Sequence, residues 1–363
     1  MESQSNENVR DGEQLYRERE DAGNRHRAQQ AEELTAWIAA EQRRSRERRA
    51  SYFTPVYTDL ASYASSIERL RREFAAMLGF PLNELYIEGK EPVSPGKVEA
   101  AYDLIAEDAL GTIYRVTLPV MEGLHAYGLF FRPPGDGPFP LVIAQHGGQG
   151  TPEMTAGFFG SVNYNDMTRR ILRRGVAVFA PQLLLWEAER FGPSFDRKQI
   201  DVQLKQLGGS LTALEVLKIR RSLDALLRRP DIDAQRVGMV GLSYGGFYTL
   251  FAAALDTRIS VAVSSCFVND RFAYGRSDWT WTGAGHRFLD AEVCGLICPR
   301  PLYIEGGAQD ALFTVDGFVE ESRRAGSHYE RLAIPERFRA VVFDGGHEFN
   351  PQEEPLDFLF HHL

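Results

Sequence analysis

From about residue 141 to the end of the chain, short apolar runs alternate with longer segments of helical periodicity. Short runs of this kind are typical of strands buried on both faces. Parallel neighbours need a crossover between them, so this alternation predicts a mostly parallel sheet flanked by helices, an α/β fold. The predicted strands are 141–145, 176–180, 236–241, 259–264, 301–305 and 339–343, preceded by a hairpin of 112–120 and 125–132. The predicted helices are 164–174, 209–229, 244–255, 314–325 and 352–362.

The chain ahead of these elements divides by composition into two segments. Residues 1–50 are rich in Arg, Glu and Gln with few large apolar side chains, so we predict a charged extension that is partly disordered or helical. Residues 51–110 contain an amphipathic helix over 60–78, and we predict a helical segment that packs on the core or joins copies of the chain in a homo-oligomer. The α/β domain itself is placed at 111–363.

The composition argues against several classes of partner. The 363 residues carry a formal net charge of -9, which disfavours nucleic acid or an anionic membrane as the main partner. The chain has only three cysteines, and no second Cys/His pair stands beside Cys294 and Cys298, so we expect neither disulfides nor a zinc site. No apolar run is long enough to span a membrane, and the N-terminus lacks the pattern of a signal peptide. We therefore expect a cytoplasmic protein.

Ser243 occurs in a pattern that presents a hydroxyl group at the end of a strand. Gly241-Leu-Ser-Tyr-Gly-Gly246 follows the strand predicted at 236–241 and opens the helix predicted at 244–255. This is a G-x-S-x-G pattern in a strand–turn–helix context, where glycines permit a tight turn that strains the serine backbone. The hydroxyl then projects above the carboxyl ends of the strands, beside the amides of the next helix. We predict that Ser243 is a nucleophile.

A serine hydroxyl is a weak nucleophile until a base removes its proton. With this pattern the acid and then the histidine follow the serine along the chain. His347 lies in a Gly-Gly loop directly after the last predicted strand, where it could reach Ser243, so we predict it as the general base. His286 and His328 are predicted to be surface residues.

The base needs an acid that fixes its tautomer and stabilises its charged form. Asp310 lies just past the strand predicted at 301–305, on a loop at the same edge of the sheet, and is the predicted acid. Glu305 inside the strand end and Asp344 beside the histidine are the alternatives.

Acyl transfer also requires backbone amides that bind the oxyanion. The residue after the nucleophile, Tyr244, is predicted to supply one amide. The second is predicted to come from the glycine-rich loop after strand 141–145, from Gly148 or Gln149. His146, which opens this loop, precedes the serine in the chain and is predicted to be structural.

Residues 112–362 resemble the α/β-hydrolase superfamily, and more narrowly the bacterial dienelactone-hydrolase-like and acetyl-xylan-esterase-like hydrolases. The matching stretches are QHGGQGTPE (145–153), GGSLTALEVLKIRRSLDALLRRPDIDAQRVGMVGLSYGG (208–246) and DTRISVAVSSC (256–266). The resemblance implies an α/β-hydrolase catalytic domain, a triad of Ser243, Asp310 and His347, and no metal or organic cofactor. It also likens the N-terminal segment to helical additions that serve as a lid or in oligomerisation. Dienelactone hydrolases proper use a cysteine nucleophile, and the serine here favours ester substrates.

Two long excursions, 182–208 and 267–298, are rich in aromatic residues and are candidates for the walls of a substrate pocket. Trp186, Trp279 and Trp281 are the candidate contacts. Their rings suit stacking on a sugar and equally a small acyl or aromatic group. Packing against the N-terminal helices is the alternative interpretation of both excursions.

The residues thus predict a serine hydrolase that cleaves a small carboxylic ester through an acyl-enzyme, with an acetylated sugar as one candidate substrate. The same triad can cleave a carbon–carbon bond or an amide, which is the main alternative. A binding protein that keeps the fold without catalysis is the second alternative.

Overall fold

A computed structural model describes residues 16–82, 84 and 98–363 of the chain. The strands are β1 (Ala101–Asp108), β2 (Gly111–Met121), β3 (Leu124–Arg132), β4 (Phe139–Gln145), β5 (Ala177–Pro181), β6 (Ile232–Leu242), β7 (Val261–Ser265), β8 (Leu302–Gly307) and β9 (Phe338–Phe343). They form one nine-stranded sheet in the order β1-β2-β3-β5-β4-β6-β7-β8-β9. The first three strands and the β3–β5 pair are antiparallel, and every pair from β5 to β9 is parallel. The carboxyl ends of six neighbouring strands therefore meet at one edge.

Helices cover both faces of the parallel part of the sheet, as the alternation of apolar runs predicts. The helices are α1 (Asn24–Tyr52), α2 (Leu60–Leu78), α3 (Pro152–Thr155), α4 (Met167–Leu172), α5 (Ala188–Phe191), α6 (Arg197–Gln206), α7 (Leu211–Leu226), α8 (Tyr244–Leu255), α9 (Asp290–Ile297), α10 (Val315–Arg331) and α11 (Glu354–His362). None of the helices in the described ranges combines the length and the apolar composition needed to cross a membrane.

The chain divides into two units, residues 1–47 and 48–363. In the first unit, residues 24–47 are helical and belong to α1, so this part of the charged extension forms a helix. Residues 1–15 of that extension lie outside the described residues. The second unit contains the whole sheet.

The sheet begins earlier than the sequence predicts. β1 lies within 51–110, the segment for which we predicted helices, and it pairs in antiparallel register with β2. Six of its eight residues are exposed, so it is an edge strand without a buried face. A strand of this kind has no alternation of apolar and polar residues, and hydrophobic periodicity therefore misses it.

Helix α2 attaches the N-terminal part of the second unit to the layer of helices α7, α8 and α9. Asp59 caps its first turn by accepting a hydrogen bond from the amide of Ser62 (2.9 Å). One face of the helix is buried, and Phe74 on that face packs edge-on against Phe251, with 5.0 Å between the ring centroids. Arg71 donates to the carbonyl oxygen of Ala254 (2.7 Å). The helix is thus held by both an apolar face and a buried polar contact.

We expect Phe74→Ala to lower the free energy of unfolding by about 3–5 kcal/mol, because it removes a fully buried ring and leaves a cavity between α2 and α8. Urea denaturation followed by circular dichroism measures the change. Ser65→Ala, at an exposed position of the same helix, is the control and should change the free energy by less than about 0.5 kcal/mol. Equal stability of the two variants would contradict the packing role of α2.

Candidate active site

Ser243 lies in the turn between β6 and α8 with a backbone conformation that non-glycine residues rarely adopt (φ 59°, ψ −122°). Close contacts with neighbouring backbone require glycine at positions 241 and 245, on either side of the serine. A Cβ at Gly241 would lie 2.4 Å from the backbone of Gly245, and a Cβ at Gly245 would lie 2.2 Å from the carbonyl oxygen of Gln145 in β4. The amide of Ser243 donates to the carbonyl oxygen of Ser265 (2.8 Å). The serine is therefore held in a strained conformation at the carboxyl edge of the sheet.

Asp310 and His347 form a hydrogen bond at the same edge. Asp310 follows β8 and His347 follows β9, and the distance from His347 Nδ1 to Asp310 Oδ2 is 2.8 Å. The other carboxylate oxygen accepts from the amides of Leu312 (2.7 Å) and Phe313 (3.1 Å). Burial alone raises the pKa of Asp310, but these hydrogen bonds outweigh it and hold the pKa below its ordinary value. With the carboxylate charged, Nδ1 carries the proton and Nε2 is left to accept one.

The loop that carries His347 is fastened to its neighbours on both sides. The amide of Gln309 donates to the carbonyl oxygen of Gly345 (2.9 Å), which joins this loop to the loop of Asp310. The amide of Phe349 donates to the carbonyl oxygen of Asn163 (2.8 Å). Backbone contacts thus set the position of the imidazole relative to the acid.

Ser243 and His347 line one cavity of about 660 Å³ above the carboxyl edge of the sheet. The glycine-rich loop 147–149 forms one side of it. Aromatic side chains supply much of the remaining wall, namely Tyr164, Tyr244, Tyr274, Trp279 and Phe313. Besides His347, the wall carries the charged side chain of Arg276. Among the described residues, no Asp or Glu lines the cavity. The wall of this cavity is therefore mainly aromatic.

The ring of Tyr244 is fixed by a buried ion pair behind it. Its hydroxyl donates to Asp278 Oδ1 (3.1 Å), and the other oxygen of Asp278 pairs with Arg197 Nε (2.7 Å). The ring also stacks on Trp279, with 5.0 Å between centroids and 25° between planes. Burial, and then the charge of Asp278, raise the pKa of Tyr244, so its hydroxyl stays protonated as a donor. These contacts together set the orientation of the Tyr244 ring in the pocket wall.

The three tryptophans singled out in the sequence have different places. Trp279 lines the cavity and is buried. Trp186 donates its Nε1–H to the carbonyl oxygen of Pro193 (3.0 Å) within its own excursion and is not among the lining residues. Trp281 packs behind the pocket against Phe251, with 5.6 Å between ring centroids. Aromatic content alone does not reveal which way a ring in a loop faces. Tyr274, one of the aromatic residues of the 267–298 excursion, also lines the cavity, and Arg276 was missed because it belongs to no aromatic pattern.

The glycine-rich loop lies against the serine. A Cβ at Gly147 would lie 2.7 Å from the carbonyl oxygen of Leu242 and 3.1 Å from the Cβ of Ser243, so only glycine allows this approach. The amide of Gly147 is occupied, since it donates to the hydroxyl of Tyr164 (2.9 Å). Gly148 passes over the ring of Tyr244, and Gln149 has a positive φ of 59°. Gly148, Gln149 and Tyr244 all line the cavity beside Ser243, and the choice between the first two as amide donor stays open.

His146 supports this loop from inside the protein. It is fully buried, its Nδ1 is 2.8 Å from the carbonyl oxygen of Gly147, and its Nε2 accepts from the amide of Leu183 (3.0 Å). Burial lowers the pKa of His146 to about 4, so the ring is neutral with its proton on Nδ1. Its contacts are structural.

The alternative acids have other partners. The carboxylate of Glu305 accepts from the amide (3.3 Å) and the side-chain nitrogen (3.2 Å) of Asn350. Asp344 is exposed and accepts from the side chain of Gln309 (2.9 Å). Of the three carboxylates considered, Asp310 is the one that contacts His347.

The expectation that His328 is a surface residue is wrong. It is buried on the inner face of α10, and its Nδ1 lies 2.7 Å from the hydroxyl of Tyr57. Its neighbours in the sequence are polar, which hides its position on the packed face of an amphipathic helix. His286 is half-buried. Cys294 and Cys298 are buried free thiols.

Comparison with known proteins identifies the fold. Residues 154–267 match the dienelactone hydrolase family. A relative named as a hydrolase, YtaP of Bacillus subtilis (strain 168), is 26% identical over 230 residues, which are 58% of this chain and 74% of that protein.

Two solved structures have the same architecture. A protein named as an acetyl xylan esterase, from Bacteroides fragilis, matches with a TM-score of 0.63 and 14% identity over 80% of this chain and 78% of its own. The glucuronoyl esterase from Solibacter usitatus matches with a TM-score of 0.61 and 16% identity over 84% and 94%. The expected α/β-hydrolase fold and the resemblance to dienelactone-hydrolase-like proteins are confirmed.

Buried Glu305 makes the stability of the protein depend on pH. Burial raises the pKa of Glu305 from 4.5 to about 7, so the folded protein keeps a proton that the unfolded chain releases between these two values. The stabilisation from this group is therefore complete below about pH 4.5 and is lost as the pH rises through about 7. From pH 4.5 to pH 8, the free energy of unfolding of Glu305→Gln should rise by about 2–4 kcal/mol relative to that of the native protein, because the amide does not titrate. Urea denaturation of both proteins at the two pH values measures the difference.

Glu330→Gln is the matched control, because Glu330 is exposed at the end of α10. Its stability should follow that of the native protein across the same pH range. If the free energy of unfolding of Glu305→Gln also followed that of the native protein across this pH range, the buried carboxyl group would not take up a proton on folding.

Proposed function

We propose that this chain of the α/β-hydrolase fold is a serine hydrolase that cleaves carboxylic esters through an acyl-enzyme. The observation that carries the proposal is the 2.8 Å hydrogen bond between Asp310 and His347, because His347 lines the same cavity as Ser243. The strained turn of the serine supports the same conclusion, because strain of this kind is concentrated at functional sites.

Each residue has a chemical role in this reaction. Ser243 Oγ attacks the ester carbonyl while His347 Nε2 accepts its proton, and Asp310 holds the ring and stabilises its charged form. The amide of Tyr244, with that of Gly148 or Gln149, binds the oxyanion. His347 then gives the proton to the departing alcohol. A water molecule, activated by the same histidine, releases the acid and regenerates the serine.

The cavity wall favours a small ester with an apolar, aromatic or sugar group. Its aromatic side chains and the absence of Asp or Glu among the described lining residues suit an apolar or sugar surface. The structural neighbours named as acetyl xylan and glucuronoyl esterases support an acylated sugar as one candidate. Stacking on a sugar ring would then rest on Trp279, since Trp186 and Trp281 do not line the cavity.

The same triad could act on an amide or a carbon–carbon bond. A panel of acylated sugars, aryl esters, anilides and diketones separates these reactions from ester cleavage, and turnover confined to the esters supports the proposal. A cytoplasmic location and a homo-oligomer formed through the N-terminal helices stay predictions of the sequence.

We expect the native protein to hydrolyse p-nitrophenyl acetate and to be labelled by a fluorophosphonate, and Ser243→Ala to lose at least about 99% of the rate, because no other group can form the acyl-enzyme. Initial rates and intact-mass spectrometry measure the two effects. Ser260→Ala is the control, since Ser260 precedes β7 at the opposite edge of the sheet. Failure of the native protein to turn over any short acyl ester or to accept the label would refute the proposed function.

Asp310→Asn should lower kcat by about 10³–10⁴-fold, because the amide stabilises the wrong tautomer of His347. Asp344→Asn provides the comparison, as Asp344 lies only three residues before the histidine in the chain but has another partner. Its kcat should stay within about threefold of the native value. Equal losses in the two variants would contradict the assignment of the acid.

A further inference from the structure

A thiol group lies beside the acid and the histidine of the site. The Sγ atom of Cys266, a carboxylate oxygen of Asp310 and a ring nitrogen of His347 all lie within 4.8 Å of one another. Cys266 follows β7 directly, and its positive φ of 50° turns it away from the path of the strand. Within the described part of the chain, no other three His, Cys, Asp or Glu side chains bring their ligand atoms this close together. The proposed reaction makes no use of the thiol.

Sulfur, nitrogen and oxygen in this combination are the ligands that zinc prefers. The bonds of zinc to such ligands are about 2.0–2.3 Å long, so tetrahedral ligands lie about 3.3–3.8 Å apart. The sulfur needs to approach the other two atoms by roughly an ångström, while Nδ1 of His347 and Oδ2 of Asp310, now 2.8 Å apart, need to separate by about half an ångström. Side-chain rotations can supply both shifts. Cys266 and Asp310 also line a cavity of about 10 Å³, close to the size of one water-sized sphere. Space for a small ion therefore adjoins two of the three ligands.

We propose that Cys266, Asp310 and His347 form an inhibitory site for a single zinc ion, which switches off the esterase by binding its acid–base pair. This inference rests on the proposed function for its effect on activity, but the binding of the metal does not depend on it. The site takes a soft or borderline divalent cation, and a water molecule completes the tetrahedron.

The balance of protons explains the inhibition. Zinc binding requires the thiolate, so the Cys266 thiol releases one proton to solvent. If the ion takes Nδ1 of His347, the ring proton moves from Nδ1 to Nε2, and Nε2 can no longer accept the proton of Ser243. If it takes Nε2, it occupies the basic nitrogen directly. In both cases the bound ion, the thiolate and the carboxylate sum to zero charge, and the general base is lost.

The selectivity of the effect follows from the ligands. Magnesium prefers oxygen ligands in octahedral geometry and dehydrates reluctantly, so a site with one sulfur and one nitrogen should reject it. Zinc should inhibit p-nitrophenyl acetate hydrolysis, magnesium at the same concentration should not, and a chelator should restore the rate.

The decisive comparison is between two cysteine variants of the full-length protein. Cys266→Ser keeps a hydrogen-bond donor but removes the soft ligand, so we expect an uninhibited rate of the same order as native and an inhibition constant for zinc at least about 100-fold higher. Cys298→Ser, at another buried free thiol, should keep the native sensitivity. Equal inhibition of native protein and Cys266→Ser, or no inhibition of the native protein, would overturn the proposal.

A spectroscopic measurement tests the site without relying on catalysis. Cobalt(II) added to the native protein should give the near-ultraviolet charge-transfer band of a cobalt–thiolate bond, and this band should be absent in Cys266→Ser and present in Cys298→Ser. A band that persists in Cys266→Ser, or none in the native protein, would overturn the site. Cobalt binding in a protein that hydrolyses no ester would refute the proposed function alone and leave the site standing.

Discussion

The backbone contact between β6, α8 and β4 determines where the chemistry of this protein can occur. Gly241 and Gly245 touch through their backbones, and Gly245 also touches the carbonyl oxygen of Gln145 in the next strand. No side chain fits in these contacts, so the turn between them must be tight, and Ser243 must take its strained conformation at the apex. The same compression points the first amides of α8 toward the carboxyl edge of the sheet. The proposed nucleophile and one proposed oxyanion donor thus come from a single packing constraint.

Buried polar groups behind this edge hold the remaining parts of the site. Glu305 sits under the loop of His347 and binds Asn350 at its end, and Asp278 with Arg197 fixes the ring of Tyr244. Removing one partner of such a pair leaves a buried polar group unsatisfied, which is costly, so these contacts favour one arrangement of the loops. The loops of an α/β sheet carry function, and here buried polar groups below them contact the loops that carry the site.

Much of the site could be predicted from the sequence because its parts follow from local rules. The parallel strands, the turn at Ser243 and the chain order of serine, acid and histidine are all set by short patterns and by the edge at which parallel strands end. Asp310 and His347 were preferred over the alternative residues because each lies on a loop that follows a predicted strand. The structure has a hydrogen bond between these two residues. The edge strand β1 and the buried position of His328 were missed, because neither has a periodic pattern that distinguishes it from a surface loop or a polar helix end.

By itself, the sequence determined the α/β architecture and the order of the residues predicted to act, since hydrophobic periodicity and glycine-bounded turns operate over a few residues. Only the tertiary structure decided which aromatic residues face the cavity, so that Trp279 lines it and Trp281 packs behind it. It also placed the thiol of Cys266 beside Asp310 and His347, which are far from it in the chain. Such contacts depend on how loops from separate strands meet, and this is decided by the packing of the whole sheet and its helices.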